Sequence, residues 1–126
     1  MILTVRGKDF DIGFVNNYCH EKYSELATLA LDLQDTKDLT DARKKVESGD
    51  ADGAQKALRD IDKKRVEITQ RIVKLREEIL RELVESNGIE FDAEWWKHKA
   101  SVNDINDFIY ECIMKDTEKS SVVKKK

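Results

Sequence analysis

A helical repeat of about 35 residues, from Asp52 to Ser86, constrains the fold more than any other part of the sequence. Apolar residues recur there every three or four positions, which is the spacing of one helix face, and only Arg65 interrupts them. Asn87-Gly88 ends the repeat. Such a helix is about 52 Å long, whereas a compact globule of this chain length is about 36 Å across. We therefore expect the helix either to project or to bend near one end.

The apolar stripe of this long helix is wide. Apolar side chains lie beside the main repeat as well as on it, so that one short partner helix would not cover them all. The additional residues are Val66, Val73, Leu80, Leu83 and Val84. This width favours a helical bundle or self-association.

The first 14 residues alternate between apolar and polar, as in a β-hairpin. With Gly7-Lys8 as a two-residue type II′ loop, the apolar residues of the two strands pair on one side. The pairs are Val5 with Phe10, Leu3 with Ile12, and Met1 with Phe14. A lone two-stranded ribbon is marginal in water, so we expect this apolar face to pack on helices or to extend a neighbouring sheet.

Three further helical segments follow from the same spacing. One runs from Asn17 to about Gln34, with Asn16 or Asn17 as its cap. A short one starts at Thr40-Asp41 and ends where Gly49 suits the left-handed position. The last follows Ser101 or Asn103, either of which can cap it.

The predicted fold class is therefore mainly α, with an N-terminal β-hairpin packed on a helical bundle. The bundle contains one long helix, at about 52–86, and a C-terminal helical motif. We expect residues 1–115 to form a single domain. Residues 116–126 are polar and end in three lysines, which predicts a disordered basic tail.

Charge and hydropathy exclude several partners. Lys plus Arg number 23 and Asp plus Glu number 26, and the two signs are interspersed. A regulator that binds nucleic acid would depend on Lys63-Lys64-Arg65 and the basic tail alone, and an acidic chain without a recognition-helix motif argues against it. No apolar run approaches the length of a membrane span. We expect neither nucleic acid nor membrane as a partner.

Residues for catalysis or metal binding are almost absent. The sequence has no Gly-rich phosphate loop and no nucleophile elbow, and its two histidines are His20 and His98. Neither histidine stands at zinc-site spacing from Cys19 or Cys112, and both cysteines fit helical faces as buried apolar spacers. We expect no enzymatic activity, no cofactor and no metal.

The adjacent tryptophans Trp95 and Trp96 are the most unusual feature of the sequence. Neighbouring side chains are about 100° apart around a helix, so one ring can enter the core while the other stays partly exposed as a binding anchor. Alternatively, both rings close the end of the core around Phe91, Phe108 and Tyr110.

Both ends of the sequence resemble the tail assembly chaperones of long-tailed (siphovirus-type) bacteriophages and prophages. The run Phe91-Asp92-Ala93-Glu94-Trp95-Trp96, followed by Val102 to Ile109, is similar to the family's aromatic-Trp pair and the helix start after it. The opening Leu3 to Phe14 is similar to the family's two short strands around Gly-Lys. The middle matches only in being helical and charged. The segment Trp96 to Ser101 departs from the family by being more basic.

The resemblance implies a non-enzymatic protein of the bacterial host cytoplasm that coats the tape measure protein, keeps it soluble and helps to recruit tail tube subunits. Self-association is expected as well. The residues expected to make protein contacts are Trp95, Trp96, Phe108 and Ile109 in the C-terminal motif, and Phe10, Ile12 and Phe14 in the hairpin. The alternative is a self-associating coiled-coil scaffold or adaptor unrelated to phage, which the Leu58 to Ile79 repeat favours.

Overall fold

A computed structural model describes the backbone of residues 1–34 and 37–124, with the side chains of 1–34 and 39–118. Over this part of the chain, two strands precede five helices. They are β1 (Ile2–Val5), β2 (Lys8–Asp11), α1 (Asn17–Gln34), α2 (Lys37–Glu47), α3 (Ala51–Glu85), α4 (Ala93–Lys99) and α5 (Val102–Lys124). The predicted mainly helical fold, with its hairpin, its long helix and its C-terminal helical motif, is confirmed.

The chain divides into two compact units. Unit 1 consists of Met1–Ser24 and Leu75–Lys126, and unit 2 of Glu25–Lys74. Helices α1 and α3 therefore each contribute residues to both units. A single domain over residues 1–115 stays a prediction.

The hairpin forms, but its loop lies one residue earlier than the sequence predicted. Leu3 pairs with Phe10 and Val5 pairs with Lys8, so that Arg6-Gly7 is the loop. The φ angles of Arg6 and Gly7 are 49° and 81°. Positive φ at both positions defines a type I′ turn, whose twist matches that of the flanking strands, in place of the predicted type II′ turn. In the observed register each residue of β1 pairs with a residue two positions earlier in β2 than predicted. Because side chains alternate with a period of two, the same residues still share the apolar side of the ribbon.

Arg6 is the one residue other than glycine with positive φ in the described part of the chain. Its guanidinium is held by α5, because Nε donates to Asp104 Oδ2 at 2.7 Å. The backbone N–H of Ser101 and this guanidinium together lower the pKa of Asp104. A contact across 98 positions of sequence thus supports the turn.

The predicted pairing of Met1 with Phe14 is wrong. Met1 instead accepts a hydrogen bond from the N–H of Ile12, at 2.8 Å, and β2 ends at Asp11. Phe14 lies beyond the ribbon and is 57% exposed. It therefore does not belong to the apolar face of the hairpin.

The predicted capping residues and glycines lie at the ends of the helices. Asn16 Oδ1 accepts from the N–H of Cys19 at the start of α1. Gly49 and Gly88, with φ of 85° and 76°, follow α2 and α3, as glycines in the left-handed position do. Ser101 and Asp104 exchange side-chain to backbone hydrogen bonds of 3.1 and 2.9 Å, a capping box that starts α5.

The predicted tail at residues 116–126 begins within helix α5, and its disorder stays a prediction. Helix α5 continues past Asp116 to Lys124. Asp116 Oδ2 lies 2.6 Å from His20 Nε2 of α1, and Thr117 Oγ1 donates to the carbonyl of Ile113. Side-chain contacts thus hold this turn after the apolar repeat has ended. Residues 125 and 126 of the predicted tail lie outside the described residues.

The buried apolar side chains lie mostly in unit 1. Its hairpin, the first turns of α1, the end of α3, and α4 and α5 share one core. The core residues are Val5, Phe10, Ile12, Val15, Cys19, Leu75, Ile79, Leu80, Leu83, Val84, Trp96, Phe108, Ile109, Cys112 and Ile113. No helix in the described part of the chain is long and apolar enough to cross a membrane.

Candidate protein-binding surfaces

Four aromatic rings meet in unit 1, and they join the two ends of the chain. Phe10 of β2 lies 5.7 Å from Trp95, 5.0 Å from Trp96 and 5.5 Å from Phe108, between ring centroids. Trp96 also lies 5.3 Å from Phe108. These separations are those of stabilising aromatic pairs. We call Phe10, Trp95, Trp96 and Phe108 the aromatic cluster.

Helix α4 sets the two tryptophans at right angles. Asp92 caps the helix by accepting from the N–H of Trp95 at 3.1 Å. Trp96 is 3% exposed, whereas Trp95 stays partly exposed, with Lys8 Nζ 4.9 Å from its ring centroid. The interpretation with one ring in the core and one partly exposed is therefore the one that the structure shows.

The structure separates the predicted contact residues by accessibility. Five of them are core residues of unit 1: Phe10, Ile12, Trp96, Phe108 and Ile109. A partner could reach these five only if unit 1 opened. Trp95 is partly exposed and Phe14 is more than half exposed, so these two are accessible as they stand. A role for any of the seven in protein contact stays a prediction.

Unit 2 presents a different surface, because half of its Leu, Ile and Val side chains are exposed and only two are buried. Its buried apolar residues are Ala42, Ala54, Ile61 and Ile72, of which only the two isoleucines are large. Its exposed ones are Leu31, Leu39, Val46, Leu58, Val66 and Val73. A monomeric protein seldom leaves so much of a region's apolar surface in water, and such surface is typical of protein contact sites.

A shallow groove lies between the end of α2 and the start of α3 in unit 2. Its volume is about 350 Å³, and Val46 and Leu58 are the large apolar side chains that line it. Gly49, Ala51 and Ala54 form much of the remaining wall. Small residues next to two exposed aliphatic ones leave space for a side chain of a partner helix. The sequence predicted only the end of a helix at Gly49, because a groove depends on how two helices are packed.

Burial shifts the two thiols of unit 1 away from their reactive, ionised form. Burial, more than the nearby Glu82, raises the pKa of the Cys19 thiol to about 12. Burial also raises the pKa of Cys112 to about 12, with Cys19 as the next cause. Both cysteines are buried, as predicted. The described residues contain no group of three or more potential metal ligands among His, Cys, Asp and Glu.

The chain matches no family model, no curated protein and no solved structure. The accessible apolar surfaces are the groove and exposed aliphatic side chains of unit 2, and the exposed or partly exposed aromatic side chains of unit 1. The latter are Phe14, Tyr18, Tyr23, Phe91, Trp95 and Tyr110.

Asn87 holds the hairpin against the end of α3, a role that the sequence did not reveal. Its Oδ1 accepts from the N–H groups of Gly13 and Phe14 at 3.0 and 2.9 Å. Its Nδ2 donates to the carbonyls of Phe14 and Leu83 at 2.8 and 2.7 Å. One side chain thus makes four hydrogen bonds, three of them to the segment between β2 and α1.

Replacing Asn87 with alanine should destabilise unit 1 by about 2 kcal/mol, because each lost hydrogen bond contributes roughly 0.5–1.5 kcal/mol. Urea unfolding followed by tryptophan fluorescence measures the loss. Asn106→Ala, at an exposed position of α5, is the matched control and should change the free energy of unfolding by less than about 0.5 kcal/mol. Equal effects of the two substitutions would refute the anchoring role.

Proposed function

We propose that this protein is a non-enzymatic assembly chaperone that binds the tape measure protein of a phage tail and helps to recruit tail tube subunits. It would act in the cytoplasm of the bacterial host. The observation that carries the proposal is the exposure of six Leu and Val side chains in unit 2, two of which, Val46 and Leu58, line one groove. A protein that coats the apolar face of a long helical partner requires such a surface, on a unit with enough charge to remain dissolved.

The division between the two units supports this proposal. Unit 1 contains the aromatic cluster and a well-buried core, so it is suited to be the stable part of the protein. Unit 2 has few large buried side chains and gains apolar contacts only when a partner covers it. The residues that carry the family resemblance at the two ends of the chain meet in the aromatic cluster. On this proposal they maintain the fold, and unit 2 provides the contact surface.

A self-associating scaffold is the second candidate, and two valines of α3 favour it. Val66 and Val73 are seven positions apart and both are more than half exposed. Seven-residue spacing places them on one side of a helix, as in a coiled-coil seam. If this candidate is correct, purified protein forms a discrete oligomer that dissociates when both valines are replaced by serine.

Co-expression with the genes that lie immediately downstream tests the chaperone proposal, which expects a long, helix-rich tape measure protein among their products. The tape measure candidate should be insoluble alone and soluble with this protein, and the two should co-purify. In the Val46→Ser/Leu58→Ser variant, the groove loses about 2 kcal/mol of apolar contact, which weakens binding by about 30-fold. The measurements are the soluble fraction of the partner and the affinity of the purified pair.

The matched control is Glu47→Ser/Arg59→Ser, which places serine at the exposed neighbours of the same two positions. It should retain binding and solubilisation. If the unaltered protein does not solubilise the partner, the proposed function is wrong. If both double variants bind equally, the proposed surface is wrong.

A further inference from the structure

The free edge of β1 faces a groove whose other wall is helix α5. Leu3, Thr4, Val5 and Arg6 line the strand side, and Asp104, Asp107, Phe108 and Glu111 line the helix side. The volume of the groove is about 190 Å³. All of these residues belong to unit 1. A strand edge beside a helix is the arrangement in which several domains bind an extended peptide as an additional strand.

The hydrogen-bond pattern of the hairpin shows which backbone groups point into the open. The N–H of Ile12 donates to the carbonyl of Met1, so that pair faces inward. Hydrogen-bonded pairs alternate with non-bonded pairs along antiparallel strands. The pairs Leu3 with Phe10 and Val5 with Lys8 are therefore also hydrogen-bonded to each other between β1 and β2. Ile2 and Thr4 therefore direct their N–H and C=O groups away from β2. No backbone hydrogen bond joins either residue to another element in the described part of the chain.

The helix side of the groove is acidic. Asp104, Asp107 and Glu111 occur at helical spacing on one face of α5. Asp104 already pairs with Arg6, whereas neither Asp107 nor Glu111 forms an ion pair among the described residues. Both side chains are exposed, and they leave a net negative charge along the groove.

The spacing of these two carboxylates matches that of a strand. Asp107 and Glu111 are four residues apart in a helix, which corresponds to about 6 Å along its axis. Alternate residues of an extended chain, which share one face, are about 6.6 Å apart. Basic residues at positions i and i+2 of an added strand could therefore each approach one carboxylate.

We propose that this groove binds an extended peptide segment of a partner protein, which adds to β1 and places lysine or arginine at alternate positions opposite Asp107 and Glu111. The backbone groups of Ile2 and Thr4 supply hydrogen bonds that do not depend on sequence. The two carboxylates select a basic segment in which such residues alternate. This inference concerns unit 1 alone and is independent of the function proposed for unit 2.

The probe is a fluorescein-labelled eight-residue peptide that alternates valine and lysine, titrated into the full chain and followed by fluorescence anisotropy at low salt. It should bind, and a peptide with glutamate in place of lysine should not. Methylating the backbone nitrogens that face β1 should weaken binding at least about tenfold, because an N-methylated strand cannot donate to the edge. Equal binding of the methylated peptide would exclude strand addition and overturn the proposal.

Two double variants test the helix side. Asp107→Asn/Glu111→Gln should weaken binding of the valine-lysine peptide about tenfold or more. The control Asp62→Asn/Glu67→Gln changes the net charge by the same amount at exposed positions of α3, and it should retain the affinity. Equal affinities of the two would show nonspecific charge attraction and refute the site.

Thr4→Pro tests the strand side, because proline removes an outward N–H without removing a backbone hydrogen bond between β1 and β2. It also removes the side-chain hydrogen bond from Thr4 Oγ1 to Asp9, so Thr4→Val, which loses that bond but keeps the N–H, is the matched control and should bind the peptide. Thr4→Pro should abolish binding while circular dichroism stays unchanged. If it unfolds the chain, the methylated peptide still decides the question. If the unaltered protein is instead a dimer that ignores the peptide and becomes monomeric in the Thr4→Pro variant, a second copy occupies the edge and the proposal is wrong.

Discussion

Replacing Phe10 with alanine is expected to destabilise unit 1 by about 3–5 kcal/mol, the usual cost of removing a buried phenylalanine ring. Phe10 is 1% exposed and lies within 5.7 Å of three other aromatic rings, so its loss leaves a cavity lined by rigid groups. A small domain is stable by only about 5–15 kcal/mol, so the substitution removes a large share. Urea unfolding, followed by the fluorescence of Trp95 and Trp96, reports directly on this cluster.

The chain provides a matched control four residues later. Phe14→Ala removes the same ring from an exposed position and should change the free energy of unfolding by no more than about 0.5 kcal/mol. The emission of the folded state should also change in the Phe10 variant and not in the Phe14 variant. Similar losses in the two variants would mean that the aromatic cluster does not hold unit 1 together.

The helices could be predicted from sequence because their signals are local. The apolar repeat of α3, the cap at Asn16 and the glycines after α2 and α3 all act within a few residues of their position. The long helix is therefore found within one residue of each predicted end. Two boundaries are exceptions. Helix α2 begins at Lys37, before the predicted start at Thr40-Asp41, and α5 continues past Asp116, which pairs with His20 at a separation of 96 positions.

The register of the hairpin could not be predicted, because alternation is unchanged when a strand slips by two residues. The choice between the two loops depends on whether Arg6 accepts positive φ. That choice is supported by Asp104, far along the chain. The same limit explains why Phe14 was wrongly placed on the apolar side of the hairpin. It continues the alternation of Phe10 and Ile12. The chain leaves the strand there because Asn87 binds the backbone at Gly13 and Phe14.

The sequence identified the aromatic residues of the candidate site but not their burial. A sequence pattern shows that Trp95 and Trp96 point in different directions, and the structure shows which of them enters the core. Phe10, Trp96 and Phe108 are buried because β2, near the start of the chain, packs against α4 and α5, near its end. No local signal encodes that packing.

The wide apolar stripe of α3 indicated a bundle or self-association, but the pattern does not show which of its side chains are covered. In the structure Leu80, Leu83 and Val84 are buried, whereas Val66 and Val73 remain exposed.

The two thiols should react about 1000-fold more slowly in the folded protein than in the unfolded chain. Burial raises the pKa of Cys19 and Cys112 from 9.0 to about 12. The thiolate is the reactive form, and its fraction at pH 8 falls by about three orders of magnitude. An aromatic disulfide reagent at pH 8 should release little chromophore from folded protein and two equivalents in denaturant. A rapidly reacting thiol in the folded protein would contradict this.

The same shifts predict that stability declines above pH 9. In the unfolded chain both thiols ionise near 9.0, whereas in the folded protein they remain protonated up to about 12. The folded state therefore binds more protons over this window, and the free energy of unfolding falls as pH rises through it. The variant Cys19→Ala/Cys112→Ala removes both groups, while the other titrating side chains remain. Its stability should fall less between pH 8 and pH 10.5, and an equal fall in both proteins would assign the decline to those other groups.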